Sequence, residues 1–350
     1  MTNPVRFLAL ALGISAGSIT ALQAQQAERV ELSGGTIKVY NLIGTLQVSA
    51  ASGGTAMAEV TRQGGDGAKL GVEHAAGTLR VVYPGTRFVY PALGGNYETT
   101  LRVREDGTFN GDDYNDGGGR KVSISSNGSG LAAWADVRLM LPAGARAELN
   151  LGVGKVTLAN VNGSIEVETA SGDVDAKATT GSLSIDTGSG DVTLAGHDGA
   201  LSVDTGSGNI VLGTVKSSDV SLDTGSGDVR VDGLSAARLE IDTGSGDVMV
   251  SGADVRGVGV DTGSGEIRIG LTGDVEELSV DTGSGDVVVT APKSLGAAVE
   301  IETSSGDITT EFPLQVTRKG RDGLSGTIGD GKGRISIDTA SGDVTLKQQP

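Results

Sequence analysis

Leu183-Ser-Ile-Asp-Thr-Gly-Ser-Gly-Asp-Val-Thr-Leu194 is the stretch whose reading decides the fold. Leu183 and Ile185 alternate with Ser184 and Asp186, and beyond Thr187-Gly-Ser-Gly190 the alternation resumes through Asp191-Val-Thr-Leu194. Successive side chains of a strand point to opposite faces, so this is a pair of short half-buried strands joined by a turn. A second turn, Gly196-His-Asp-Gly199, leads into Leu201-Ser-Val-Asp204, where the pattern begins again. Copies start at Glu168, Asp186, Asp204, Asp223, Asp242, Asp261, Asp281, Glu302 and Asp338, at intervals of 18, 18, 19, 19, 19, 20, 21 and 36 residues. One unit holds too few inward aliphatic residues to fold alone, and stacking unit on unit gives a continuous narrow core. The pattern predicts an all-β chain, a β-solenoid or β-helix of stacked coils. The last interval reads as two coils, one of them degenerate, and the stack spans roughly 45 Å at a strand spacing of about 4.8 Å.

The second glycine of each turn, as in Gly190, Gly208, Gly227, Gly246, Gly265 and Gly285, is expected to hold positive φ and to permit close approach between coils. At the first glycine position Ala170, Ser304 and Ala340 stand in the end copies.

Upstream of the repeat the chain divides by composition. Residues 1–24 carry Arg6, an apolar run from Phe7 to Leu12 and on to Ile19, then Ala21-Leu-Gln-Ala24, the layout of a secretory signal peptide cut near Ala24. The run is shorter than a membrane-spanning helix needs. Residues 25–85 read as irregular β coils and 131–350 as the regular solenoid. Between them, residues 86–130 read as an excursion: six of the ten aromatic residues lie between Tyr83 and Arg120. Export without a single cysteine leaves stability to backbone ladders and a core. A net charge of −17 disfavours nucleic acid and anionic lipid headgroups as partners. The irregular first coils and the tail Lys347-Gln-Gln-Pro350 are the candidates for covering the ends of the rod.

The pattern resembles the DUF4097 family, described as adhesins. The carrying residues are Val137-Arg-Leu-Met-Leu-Pro-Ala-Gly144, Glu166-Val-Glu-Thr-Ala-Ser-Gly-Asp-Val174 with its copies, and Leu324-Ser-Gly-Thr-Ile-Gly-Asp-Gly331. The resemblance implies a β-solenoid and an adhesive role. The excursion has no counterpart in the family pattern.

Asp-Thr-Gly-Ser is also the signature of aspartic proteases, where two such loops share a proton between two carboxylates. That chemistry needs two bulky lobes, which short aliphatic strands at 19-residue spacing do not build, so the protease reading is rejected. Stacking sets Asp204, Asp223, Asp242, Asp261 and Asp281 in one column, where neighbours in water repel by about 1 kcal/mol. Turn N–H groups and Thr or Ser hydroxyls bonded to the carboxylates would offset that. The competing reading is a file of Ca²⁺ ions, against which Asn209 and Glu266 vary the companion column. Asp112 and Asp116, in Asp112-Asp-Tyr-Asn-Asp116, form a second weak candidate loop for Ca²⁺, with Tyr114 where an oxygen ligand belongs. His74 and His197 are expected at the surface, and no nucleophile elbow or cofactor motif is present. The expected function is that of an exported, non-catalytic surface or envelope scaffold. It would offer an acidic face and an aromatic loop (Phe88, Tyr90, Tyr97, Phe109, Tyr114) to a protein or glycan partner. The alternatives are a polysaccharide-active β-helix enzyme and a calcium-binding β-roll.

Overall fold

The computed structural model describes residues 27–109 and 118–349. The expected signal peptide therefore lies outside the described residues. Stacked parallel strands dominate, and the helical content among the described residues is two single turns, Gly67–Lys69 and Pro91–Leu93. The chain is a β-solenoid, as the repeat requires.

The coils stack in register. Ile185 lies against Val203, Val203 against Leu222, Leu222 against Ile241, Ile241 against Val260 and Val260 against Val280. All six are buried, and each aliphatic side chain so removed from water contributes roughly 1.5–3 kcal/mol. The threonine after the first acid of each copy also points inward: Thr187, Thr205, Thr224, Thr243, Thr262 and Thr282 are all buried.

Two further coils carry no Asp-Thr-Gly-Ser-Gly signature. Ile37–Ala50 pairs in parallel with Ala145–Ala159, which pairs with Asn162–Thr187, and the register sets Gly44 on Gly154 and Gly154 on Gly172. Asn41-Leu-Ile-Gly44 keeps only the second turn glycine, whereas Leu151-Gly-Val-Gly154 has both, Gly152 lying between the Leu151–Thr169 and Val153–Ser171 pairs. An added Cβ at Gly154 would stand 1.8 Å from the Gly44 carbonyl oxygen.

At the other end, order in space departs from order in sequence. Glu277–Ser284 pairs with Gly333–Ser341, which in turn pairs with Ala297–Ser305. The Asp338 copy is thus inserted between the Asp281 and Glu302 copies. Residues 303–337 contain no degenerate coil. After Ile308–Thr310 the chain leaves the stack and forms two antiparallel strands, Leu314–Lys319 and Gly323–Ile328, the second pairing with Ala297–Ser305. That hairpin covers the Ala297–Ser305 edge. The tail assigned this job by the sequence lies inside the stack: Val344–Gln348 is held between Val287–Ala291 and Ile308–Thr310. At the first end, Trp134–Leu141 pairs with Ile37–Ala50, and Ala56–Gln63 and Glu28–Leu32 follow it in antiparallel order. Antiparallel strands break the parallel stacking that would otherwise continue at a rod's end.

The excursion is a small sheet and not an open loop. Arg87–Val89, Glu98–Val103 and Arg120–Ser125 form its three strands. Its rings are a core, which corrects the expectation of a displayed aromatic surface. Phe88, Tyr90 and Phe109 are buried, with Tyr83 and Phe88 edge to face at 5.2 Å, Tyr40 and Phe109 at 6.0 Å, and Tyr90 tilted on Trp134 at 5.4 Å. A three-stranded sheet has little aliphatic surface of its own, and aromatic rings supply the missing buried area. Tyr97 stays at the surface, its hydroxyl donating to Ser171 Oγ at 2.6 Å. Tyr114 lies outside the described residues.

Candidate binding face

The turn Thr-Gly-Ser-Gly-Asp sets two acidic columns on the outside of the rod, and their chemistry differs. In the second column each carboxylate accepts the backbone N–H of the next level. Asp228 Oδ1 takes Asp247 N–H at 2.9 Å, Asp247 Oδ1 takes Glu266 N–H at 2.8 Å, and Asp286 Oδ1 takes Asp343 N–H at 2.9 Å. Asn209 serves equally, its Oδ1 accepting Asp228 N–H at 2.9 Å, because the bond needs only an oxygen. The variation at Asn209 is thereby explained. Glu266 instead pairs with Arg268.

The turn glycine makes this ladder fit. A Cβ at Gly208, Gly227, Gly246, Gly265 or Gly285 would stand 1.9–2.1 Å from the carbonyl oxygen of the preceding level, and one at Gly190 would stand at 2.2 Å. Close approach, more than positive φ, demands glycine here: Gly265 and Gly285 have φ of 146° and 142°, whereas Gly190, Gly208 and Gly227 are not in the left-handed region.

The first column behaves otherwise. Asp186, Asp204, Asp223, Asp242, Asp261, Asp281 and Asp338 stand in register on successive levels. No ion pair or hydrogen bond reaches the carboxylates of this column from Asp186 to Asp281 among the described residues. The threonines expected to bond them face the core. Thr205 Oγ1 donates to the Gly190 carbonyl at 3.3 Å and Thr224 Oγ1 to the Gly208 carbonyl at 3.1 Å. Desolvation against the strand face raises the carboxyl pKa of Asp186, Asp204, Asp223 and Asp261 above the usual range. The neighbouring carboxylate adds to the rise for the last three.

Beside this column the outward face dips. Arg238 and Glu240 on one level and Glu277 and Ser279 on another flank Gly257 and Gly259 between them. The two glycines floor a shallow trough of about 700 Å³, with Asp223, Asp242, Asp261 and Asp281 along one side. Glu240 leans over it: a Cβ at Gly259 would meet Glu240 Oε2 at 2.1 Å. Arg256, Lys332 and Arg334 lie close by, around an adjoining hollow that Arg238, Gly257 and Glu277 also line. Sequence reasoning missed the trough. Its signal was Gly257-Val-Gly259, where neighbouring copies carry larger polar residues.

No group of three or more His, Cys, Asp or Glu side chains among the described residues is placed to hold a metal ion. Asp204, Asp223, Asp242, Asp261 and Asp281 run in single file and do not converge. Asp112 and Asp116 lie outside the described residues. His197 is buried, contrary to expectation. Its ring lies 2.9 Å from Thr179 Oγ1 and 3.1 Å from the Ala200 carbonyl, and burial lowers its pKa. His74 is exposed.

The family model named Toastrack DUF4097 matches residues 28–200 and again 181–347. The chain belongs to the Toastrack DUF4097 family. The two matches together run through the excursion as well as the solenoid. No curated protein matches the chain. Among solved structures, a "putative adhesin" of Parabacteroides merdae is similar at 12% identity over 93% of this chain and 96% of that one, with a TM-score of 0.41. A "putative lipid binding protein" of Parabacteroides distasonis is similar at 13% identity over 93% and 97%, with a TM-score of 0.39. A "putative cell adhesion protein" of Clostridium sporogenes is similar at 11% identity over 93% and 100%, with a TM-score of 0.21. No helix among the described residues is long and apolar enough to cross a membrane.

Proposed function

We propose that this Toastrack protein is an exported, non-catalytic binding scaffold of the cell surface or envelope, and that it holds a protein or glycan partner along its acidic strand face. One observation carries the reading: the in-register carboxylates from Asp186 to Asp281 have no intramolecular partner and stand beside the Gly257–Gly259 trough. An unpaired column on a flat face costs stability through self-repulsion. A partner bearing ammonium groups or a dense set of hydroxyl donors would offset that cost. The buried rings of the excursion take no part, so the face replaces the aromatic loop as the contact surface.

The test is binding of the wild-type chain to arrayed glycans and to polylysine, beside the variant Asp223→Asn, Asp242→Asn, Asp261→Asn, Asp281→Asn. Loss of binding by at least ten-fold in the variant, with unchanged circular dichroism, supports the reading. Equal binding by both chains refutes it, and release of reducing ends from any arrayed glycan would establish an enzyme instead. Export is tested separately, by finding a chain cut near Ala24 outside the cytoplasm.

A further inference from the structure

Each interior level of the rod from the Asp223 copy onward hands two turn N–H groups to the level above it. Gly265 donates to Ser284 and Ile267 to Asp286; Gly285 donates to Ser341 and Val287 to Asp343; Gly342 donates to Ser305 and Val344 to Asp307. The Glu302 level ends the series. Its Gly306 and Ile308 occupy the donor positions, yet among the described residues no level follows them there, since Ile308–Thr310 pairs with Val344–Gln348 alone. The Val344-to-Asp307 and Glu311-to-Leu346 bonds fix which way this strand faces. Backbone groups alternate along a strand, so the N–H groups of Ile308 and Thr310 point to the open side. The carboxylate ladder stops at the same place. Asp343 Oδ1 accepts Asp307 N–H at 2.8 Å, and no N–H among the described residues reaches the Asp307 carboxylate.

A groove of about 470 Å³ lies over this edge, lined by Ile308, Leu314, Val316 and Leu324 and by Lys319 and Arg321. Val316, at 52% exposure, is the most exposed large apolar side chain among the described residues. Exposed edge strands are templates for pairing with another chain. Here the template is specific, because the rules of the interior levels apply to the next one. The residue placed over Gly306 must be glycine, as a Cβ there would repeat the 2.0 Å approach of Gly306 to the Gly342 carbonyl. The residue after it gives its N–H to Asp307, and an acid at that position faces the positive charge of Lys319 and Arg321. Aliphatic residues at alternate positions beyond it meet Leu314 and Val316.

We infer that this edge is a strand-addition site for an extended segment of a partner protein, of the form glycine, acid, then alternating aliphatic residues, docked parallel to Ile308–Thr310. It is independent of the acidic face, on which the proposed function rests. The probe is a fluorescein-labelled peptide, Ser-Gly-Asp-Val-Thr-Leu-Lys, measured by anisotropy against the full chain. Saturable binding is expected, weakened at least ten-fold when the peptide glycine is changed to alanine or its sequence is scrambled. Ile308→Pro in the chain should abolish binding with an unchanged melting curve, since proline removes an N–H that points away from the rod. Should Ile308→Pro unfold the end, Asp307→Ala gives the second reading, with an expected loss of about five-fold, the order of one hydrogen bond. Absence of saturable binding at millimolar peptide overturns the inference. So does equal binding of the alanine or scrambled peptide, or full binding by Ile308→Pro, which would mean that the peptide displaces Val344–Gln348 instead.

Discussion

In the middle of the rod, from Asn162 to Thr262, each copy stacks on the one before it in sequence; beyond Thr282 the Asp338 copy lies between Asp281 and Glu302. The same motif serves both arrangements. What a level needs from its neighbour is a glycine, an oxygen and two aliphatic residues in register, and nothing in those requirements fixes which copy supplies them. Chain order in the middle is therefore a consequence of short connections, the four-residue segments 225–228, 244–247 and 263–266, whose closure costs little. Where the connection is long enough to carry the Leu314–Ile328 hairpin, the order is free to change.

The largest effect that would break this comparison is removal of residues 333–350. Amide exchange should then lose all protection over 297–328, while 162–262 keeps its own, because levels contact only their neighbours. Uniform loss along the rod would show one cooperative unit instead.

Next comes glycine replacement. Gly246→Val, packed between levels on both sides, should cost about 3 kcal/mol or more by forcing backbone apart. Gly306→Val meets an oxygen at the same 2.0 Å but has no level above it, so a chemical denaturation series should show a smaller loss. Equal losses would mean that the open side gives no relief.

Charge sharpens the contrast further. Glu302 at the end has Arg318 at 3.4 Å, whereas the first-column carboxylates from Asp186 to Asp281 have no such partner among the described residues. The raised pKa values of Asp204, Asp223 and Asp261 mean that the folded state binds protons more readily than the unfolded state. Their destabilisation is present at neutral pH and is relieved as pH falls through the raised values. Changing Asp204, Asp223, Asp242 and Asp261 to Asn should raise the melting temperature at pH 7 by a few degrees and flatten its rise toward acid pH. His197 acts with the opposite sign. Its lowered pKa contributes stability above about pH 6.5 that is lost as pH falls below it. His197→Val, matching Val215 on the next level, should remove that loss in thermal melts at pH 5.5.

The smallest effect lies inside the middle itself. Thr224→Val should cost about 1 kcal/mol with its bond to Gly208, whereas Thr243, whose buried hydroxyl has no partner, should accept valine at no cost. Denaturant midpoints of the two variants check this.

The stack was legible in the sequence because Asp-Thr-Gly-Ser-Gly-Asp fixes both a turn and an alternation. The Gly44 and Gly154 levels were not, because Asn41-Leu-Ile-Gly44 and Leu151-Gly-Val-Gly154 set Leu, Ile and Val where the motif has Thr, Gly and Ser, and so read as strands. Leu42, Ile43 and Val153 are buried at positions where the repeat levels expose Gly and Ser, and Leu151 takes the inward place of the motif threonine. The excursion's rings were misread for a related reason. The alternation in Phe88-Val-Tyr90, Leu101-Arg-Val103 and Val122-Ser-Ile124 marks a core, but composition drew attention to the aromatics first. Of the binding face, the acid column was visible and the trough was not, since a dip depends on what the neighbouring levels carry.

The inserted Asp338 level also sets a schedule. A ribosome makes residues 297–328 before residues 333–349, so the Glu302 level and its hairpin must wait, without a seat, for a strand made later. Levels up to Thr290 can add one by one as they appear; the final two close together. An interrupted product would carry a finished rod and a loose end, which distinguishes it from the whole molecule by exposure alone.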